Sequence, residues 1–216
     1  APPPATAGGL VRLPARLPNI DKYSFQNLII AFWKKICLLS GISTRGDAMP
    51  SIHVIHENDA WVVPLRAAFA AQGEACEEWF LDTGILDLTQ PPPEGVFYNR
   101  MSASSHTRGH THAPEYAGAV IEWLVRHGRT VVNGRRALQL ELSKVAQYQA
   151  LAAHGIPTPE TIAVVGAQHI PDAAAKLGYP LILKHNRAGK GLGVQLVKSD
   201  AALHQALHGL ACDTDP

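Results

Sequence analysis

The stretch Tyr179-Pro-Leu-Ile-Leu-Lys-His-Asn-Arg-Ala-Gly-Lys-Gly-Leu-Gly-Val-Gln-Leu-Val197 constrains the fold more than any other part of the chain. Leu181, Ile182 and Leu183 form a short apolar run bounded by turn residues, the pattern of a buried strand. Lys184 falls where that strand gives out. Gly189, Gly191 and Gly193 leave main-chain N–H groups unshielded, and Arg187 and Lys190 add positive charge. Bare amides among cations suit a polyphosphate, whose oxygens accept several charge-assisted hydrogen bonds. A P-loop is excluded, because Gly191 follows Lys190 where a magnesium-binding hydroxyl is needed. A dinucleotide fingerprint is excluded as well: Gly193 comes one place early, and Val194, Gln195 and Leu196 alternate like a strand rather than opening a helix. Two readings remain, a hairpin loop that closes over a ligand and a plain Gly-rich turn.

The rest of the chain sets the context of that loop. With 216 residues, 46% hydrophobic and 17% charged, it suits one large or two small globular domains. A net charge of +1 gives no global field toward nucleic acid or an acidic membrane. Cys37, Cys76 and Cys212 lack a C-x-x-C spacing and point to a reducing compartment, so a cytoplasmic location is expected. No apolar run reaches the roughly 18 residues that a transmembrane helix requires.

Residues 1–48 do not read like the remainder. Pro2, Pro3 and Pro4 open a Pro/Ala/Gly stretch, and Leu28 to Leu39 is apolar but split by Lys34 and Lys35. The expectation is a leader, disordered or not native, with Met49 as a natural start. An amphipathic targeting segment is the rival reading, which Asp21 and the prolines oppose.

From Met49 the pattern is α/β. Strands are expected at Ile52 to Ile55, from Trp79, at Gly95 to Asn99 and at Thr130 to Asn133. A helix is expected from Pro64, in its first turn, to Ala71. A second runs from Pro114 to His127, with Ala117, Val120, Ile121, Leu124 and Val125 at helical spacing and Trp123 in the core. Strand–helix–strand with short links predicts a small parallel sheet. Ala137 to His154 reads as mostly helical, with Ser143 a cap within it, stopped by Gly155 and Pro157. After Thr158 the pattern turns α+β: a strand from Thr161, a helix from Asp172 to Leu177, the hairpin, and a helix from Ala201 capped by Asp200.

These motifs, in this order, resemble the ATP-grasp family and within it the RimK-like glutamate ligases. Tyr98-Asn-Arg-Met-Ser-Ala-Ser is similar to the family's strand-end Asn-Arg-x-Ser. Leu140-Glu-Leu-Ser-Lys-Val-Ala-Gln-Tyr-Gln-Ala-Leu with Gly155-Ile-Pro-Thr-Pro-Glu-Thr is similar to its lysine helix and Gly-Ile-Pro-x-Pro-x-Thr connector. The hairpin is similar to its Lys-Pro-x-x-Gly-x-Gly-x-Gly-Val, with His185 in place of the proline and Ser143 where an acid often precedes the first lysine. The likeness spans about residues 49–212.

The resemblance implies a parallel-sheet pre-ATP-grasp domain over 49–134, a connecting helix over 135–157 and an α+β ATP-grasp lid over 158–216. It implies that Lys144 and Lys184 bind ATP, with Ala188, Gly189, Lys190, Gly191, Leu192, Gly193 and Val194 as a loop over the phosphates. It implies carboxylate–amine ligation through an acylphosphate, with ATP and Mg²⁺ as cofactors. The metal ligands and catalytic residues are expected beyond Pro216, so the fragment alone is expected to be inactive. Carboxylate and amine substrates, small or peptidic, are the implied partners, with no nucleic acid and no membrane; a homo-oligomer is left open. A non-catalytic nucleotide-binding module and another ATP-grasp enzyme are the alternatives.

Arg100, Ser102 and Arg108 follow a strand end, where open parallel sheets place ligands, and are expected on the substrate side. Arg100 as a structural ion-pair residue is the competing reading. His106, His110 and His112 form a chelate-like cluster but read as a solvated or substrate-facing loop, and no metal site is expected within the chain. Glu141 reads as a solvated helix carboxylate.

Overall fold

A computed structural model describes residues 8–12, 51–187, 191 and 193–212, with residues 8–12 and 209–212 described by backbone alone. All of them belong to one compact unit made of Ala1–Leu13 and Ser51–Pro216. Ala188, Gly189, Lys190 and Leu192 of the glycine loop lie outside the described residues, as do Cys37 and residues 13–50.

Strands β2 (Ile52–His56), β3 (Cys76–Phe80), β4 (Val96–Asn99) and β5 (Thr130–Val132) form a wholly parallel sheet in the order β3-β2-β4-β5. Every residue of β2 is buried, as a central strand covered on both faces must be. Its neighbouring side chains part to opposite faces. Val54 packs with Val62 and Leu65 of helix α1 (Asp59–Ala71), while Ile55 joins Phe97, Ala117, Val120, Ile121 and Leu124 under helix α2 (Ala113–Arg126). Full burial stabilises each such aliphatic side chain by roughly 1.5–3 kcal/mol. Val125 departs from the expected apolar stripe and is 55% exposed. Its place in the helical wheel is one step past Leu124, beyond the buried face.

Helix α1 begins at Asp59, and Pro64 lies inside it rather than in its first turn. The proline forfeits one backbone bond, a cost of about 3 kcal/mol in a helix interior. Burial of Val62 and Leu65 holds the turn ahead of it in place. The long helix expected over Ala137 to His154 is two helices, α3 (Arg135–Leu142) and α4 (Lys144–Ala153). Ser143 is extended at φ −143°, and its Oγ accepts from Ala146 N at 3.1 Å, so the cap ends one helix and starts the next.

The second sheet is wholly antiparallel, in the order β6-β1-β7-β8, from β6 (Thr161–Val164), β1 (Gly8–Arg12), β7 (Leu181–His185) and β8 (Gln195–Val197). Helices α5 (Ile170–Leu177) and α6 (Asp200–Cys212) complete this layer. Its core joins Val164, Ile170, Ala174, Leu177, Leu181, Leu183, Val197 and Leu203. Ser199, not Asp200, caps α6, its Oγ accepting from Ala202 N at 3.3 Å. Strand β1 corrects the expectation that residues 1–48 stand wholly apart as a disordered leader, because Gly8–Arg12 lie inside this sheet, paired on both sides. Among the described residues no helix is long and apolar enough to cross a membrane.

Candidate functional site

Lys144 and Lys184 meet because the end of β7 is tied to the start of α4. Asn186, just past β7, accepts from Val145 N at 3.0 Å through Oδ1 and from Lys144 N at 3.1 Å through its carbonyl. Its amide nitrogen donates to Ser143 Oγ at 3.2 Å. These bonds satisfy N–H groups that the first turn of any helix leaves orphaned. They also fix the register between strand and helix. Lys184 Nζ then donates to Tyr148 Oη at 2.5 Å and lies 4.8 Å from that ring's centroid. Tyr148 is one helical turn after Lys144, on the same side of α4.

The electrostatic consequence appears at Lys144. Burial first, and the like charge of Lys184 second, lower its pKa from the ordinary 10.5, while Glu141 pulls the other way. Desolvation and a neighbouring cation both disfavour ammonium. Asn186 and Tyr148 thus give the two lysines separate partners, Lys144 Nζ at Asn186 O and Lys184 Nζ at Tyr148 Oη. Both lysines were singled out in sequence; Tyr148 and Asn186 were missed, although Tyr148 carried the i+4 spacing that puts it beside Lys144.

Past β7, Gly193 lies against His185 of the strand. Gly193 has φ +66°, a left-handed conformation, and a Cβ there would run into the His185 ring. His185, which stands where the resembled family has proline, thus packs against Gly193, whose positive φ and lack of a Cβ suit that contact. Gly191 also has a positive φ of 75°. Arg187 is engaged across the fold. Its Nη1 donates to Glu115 Oε1 at 3.2 Å and its Nε to Ala103 O at 3.4 Å, fastening the loop's base to the layer of the parallel sheet. Val194, at the loop's exit, is exposed.

A second feature lies at the C-terminal edge of the parallel sheet, where such sheets present their ligands. A cavity of about 300 Å³ is lined by Trp61, Asn99, Arg100, Ser102, Asn133 and Glu141 among others. Its floor is braced by a reciprocal amide pair: Asn99 Nδ2 donates to Asn133 O at 2.8 Å, and Asn133 Nδ2 to Asn99 O at 3.3 Å. Arg100 and Ser102 thus line one cavity, and among the described residues the Arg100 guanidinium has no ion pair. Glu141 lines the same cavity and accepts weakly from Ala103 N at 3.4 Å.

Arg108 is placed differently from the sequence expectation. It is committed to Glu57, with Nη2 to Oε1 at 2.6 Å and Nε to Oε2 at 3.0 Å. His110 Nδ1 lies 3.1 Å from the same carboxylate, whose side chain is fully buried. The histidine loop is therefore not simply solvated. His106 Nδ1 sits at Ala103 O, 3.1 Å away, so His106 and His110 serve separate partners, while His112 is the residue before α2. Glu57 was missed in sequence, since a carboxylate just after a strand reads as a loop residue.

His56, Asp59 and Glu78 bring one potential ligand atom each to within 4.8 Å of one another. Arg66 reaches the same cluster, with Nη2 2.7 Å from Glu78 Oε2 and 3.5 Å from Asp59 Oδ1. The Arg66 hydrogen bonds, opposed by burial, lower the Glu78 pKa. The guanidinium supplies the charge that a cation would bring, which makes this an ion-pair cluster.

Comparison with known proteins follows the same division. Residues 149–215 match the ATP-grasp domain family. A D-alanine--D-alanine ligase of Synechococcus sp. (strain JA-3-3Ab) is 28% identical over 152 residues, 66% of this chain and 46% of that protein. A beta-citrylglutamate synthase B of Danio rerio is 32% identical over 92 residues, 41% of this chain and 23% of that protein. A solved RimK domain ATP-grasp protein from Sphaerobacter thermophilus DSM 20745 is similar in fold, with TM-score 0.55 and 23% identity over 75% of this chain and 59% of that chain. The chain spans less than half the length of these curated relatives. The family match thus falls on the second half of α4 and on β6 to α6, and this part of the chain is similar to the ATP-grasp domain.

Proposed function

We propose that this chain carries the ATP-binding lid of a RimK-like carboxylate–amine ligase. The observation that carries the reading is the convergence of Lys144, from α4, with Lys184, from β7, where each lysine lies in the other's field. In this reading Lys144 and Lys184 offset the negative charge of the ATP phosphates. The loop of Ala188, Gly189, Lys190, Gly191, Leu192, Gly193 and Val194 is assigned to the phosphates by its sequence alone, since four of its residues lie outside those described. Catalysis of phosphoryl transfer depends mainly on such positioning and charge stabilisation.

The reaction proposed for the whole protein has two steps. A substrate carboxylate oxygen attacks the γ-phosphorus, and the bond to the leaving ADP breaks. An amine then attacks the acyl carbon, phosphate leaves, and the amine loses a proton as the amide forms. The cavity holding Arg100 and Ser102 is the proposed substrate side, since Arg100 can pair a carboxylate there. Arg108 is left to hold Glu57.

Mg²⁺ supplies further charge neutralisation when it accompanies ATP. Among the described residues, the one group of His, Cys, Asp or Glu side chains close enough to share an ion is His56, Asp59 and Glu78, which Arg66 already engages. The lysine site fits ATP, and it offers Glu141 as a nearby carboxylate rather than a set of metal ligands. We place the protein in the cytoplasm on the strength of its three cysteines, odd in number and without C-x-x-C spacing.

The test is ADP release by the complete protein that contains this chain, across a panel of amino acids and other carboxylate–amine pairs. The expected result is ADP release that needs both substrates and falls at least about tenfold in Lys184→Ala, the loss of one charge-assisted contact. Silence across the panel, with Lys184→Ala indistinguishable from wild type in nucleotide binding, would contradict the ligase reading.

A further inference from the structure

The antiparallel sheet has an unusual dependence on its central strand. β6 and β7 share no ladder; each pairs with β1, which comes from the far end of the sequence. On one side the register is Gly9 to Ala163 and Leu10 to Ile162; on the other it is Gly9 to Lys184 and Leu10 to Leu183. Residues directly opposite one another share a sheet face. The row Ile162–Leu10–Leu183 is the row whose outer members, Ile162 and Leu183, pack on α5 and α6. The next row, Ala163–Gly9–Lys184, lies on the opposite face and carries the lysine of the candidate site.

That second row is nearly bare. Ala163 is exposed and small, and Gly9 has no side chain. Beside Lys184, then, the sheet presents a strip of backbone rather than a wall of side chains. Glycine in a strand interior weakens the strand but allows another group to approach the backbone closely. Residues 8 and 9 are both glycine, and the strand is bounded in sequence by Pro4 and Pro14, which cannot extend a ladder.

We infer that Gly8–Arg12 is a working part of the nucleotide lid: it joins β6 to β7, and Gly9 keeps the strip beside Lys184 open for the nucleotide. Gly9 is a positioning residue in this inference, acting through the space it leaves. The inference rests on the nucleotide reading of Lys184. It assigns a role to a segment whose composition alone marks it as a leader. Without β1, the sheet would present open edges on β6 and β7, the situation that strand addition relieves.

The test uses the full chain and two variants, with ATP as the probe. Leu10→Pro removes a ladder donor from a central strand. Gly9→Val keeps the strand and fills the strip. Amide hydrogen exchange is followed over 161–164 and 181–185, with 52–56 and 96–99 of the parallel sheet as the control for folding. In Leu10→Pro, exchange over both lid strands should quicken by about tenfold or more while the parallel sheet keeps its protection. In Gly9→Val, lid protection should stay at the wild-type level while ATP binds at least about tenfold more weakly, the scale of one lost close contact.

Unchanged protection over 181–185 in Leu10→Pro would overturn the strand's role. Unchanged ATP affinity in Gly9→Val would overturn the role of Gly9. If wild type shows no ATP binding that depends on Lys184, the nucleotide reading fails and takes the Gly9 role with it. The exchange measurement still decides whether β1 completes the sheet, so the two failures are distinguishable. If Leu10→Pro also loses protection in the parallel sheet, β1 supports the whole unit rather than the lid, and the inference as stated is wrong.

Discussion

At the scale of single residues, the site depends on a lysine whose charge is already under pressure. Burial and Lys184 lower the Lys144 pKa below 10.5 in the folded chain. In the window between that lowered value and 10.5, the unfolded chain holds the proton that the fold has lost. Stability attributable to Lys144 therefore rises with pH across the window and is unchanged below it. A bound polyphosphate acts in the opposite sense, because it favours ammonium and raises the pKa. ATP affinity should accordingly fall as pH climbs through the lowered value, and binding there should take up a proton. Calorimetry in two buffers of different ionisation heat measures this directly; Lys144→Met should abolish the uptake. Lys184 stood out in sequence because it falls where an apolar strand gives out ahead of glycines, whereas Lys144 stood out only through the resemblance, its distance from Lys184 and the Gly155-Ile-Pro-Thr-Pro159 connector. The partners that fix them did not, since Asn186 meets Ser143 and Val145 only through the fold.

At the scale of elements, the buried Glu57 holds the loop between β4 and α2 in place. Arg108 and His110 both reach back to its carboxylate across the end of β2, and Arg108 stands 5.2 Å from the Trp61 ring centroid. Removing one partner of a buried pair leaves the other uncompensated, at a cost of about 3–5 kcal/mol. Urea denaturation of Glu57→Gln should show a loss of that order, larger than for a surface pair such as Glu122 with Arg135. A second element-scale expectation concerns the join between α3 and α4. Ser143→Ala should cost about 1 kcal/mol through the lost cap. The same variant should weaken ATP binding, since the cap and Asn186 together aim Lys144; fluorescence titration with an ATP analogue measures it. Strands and helices were legible where one periodicity held, as in α2 and β2. The start of α1 was hidden by Pro64, which reads as a first-turn residue, whereas the helix begins at Asp59 and buries Val62 ahead of the proline.

At the scale of the molecule, a parallel and an antiparallel sheet stand in sequence order, except that the antiparallel sheet takes its strand β1 from Gly8–Arg12. The parallel half followed from strand–helix alternation, and the hairpin from its glycines. β1 did not, because Gly-Gly-Leu-Val-Arg has too short a pattern to declare a strand, and its partners lie far along the chain. Arg187 shows the same limit: by sequence it belonged with the loop's cations, but Glu115 claims it across the fold. The proposed function rests on helix α4 and strand β7 bringing Lys144 and Lys184 near one another. The most direct measurement of that convergence is a double-mutant cycle, in which wild type, Lys144→Ala, Lys184→Ala and the double variant are titrated with ATP by calorimetry. The expected result is that each single change weakens binding by about tenfold or more, and that the double change costs less than the sum, with a coupling of roughly 0.5–3 kcal/mol. Strictly additive losses, or ATP binding unaltered by either lysine, would contradict a shared phosphate site.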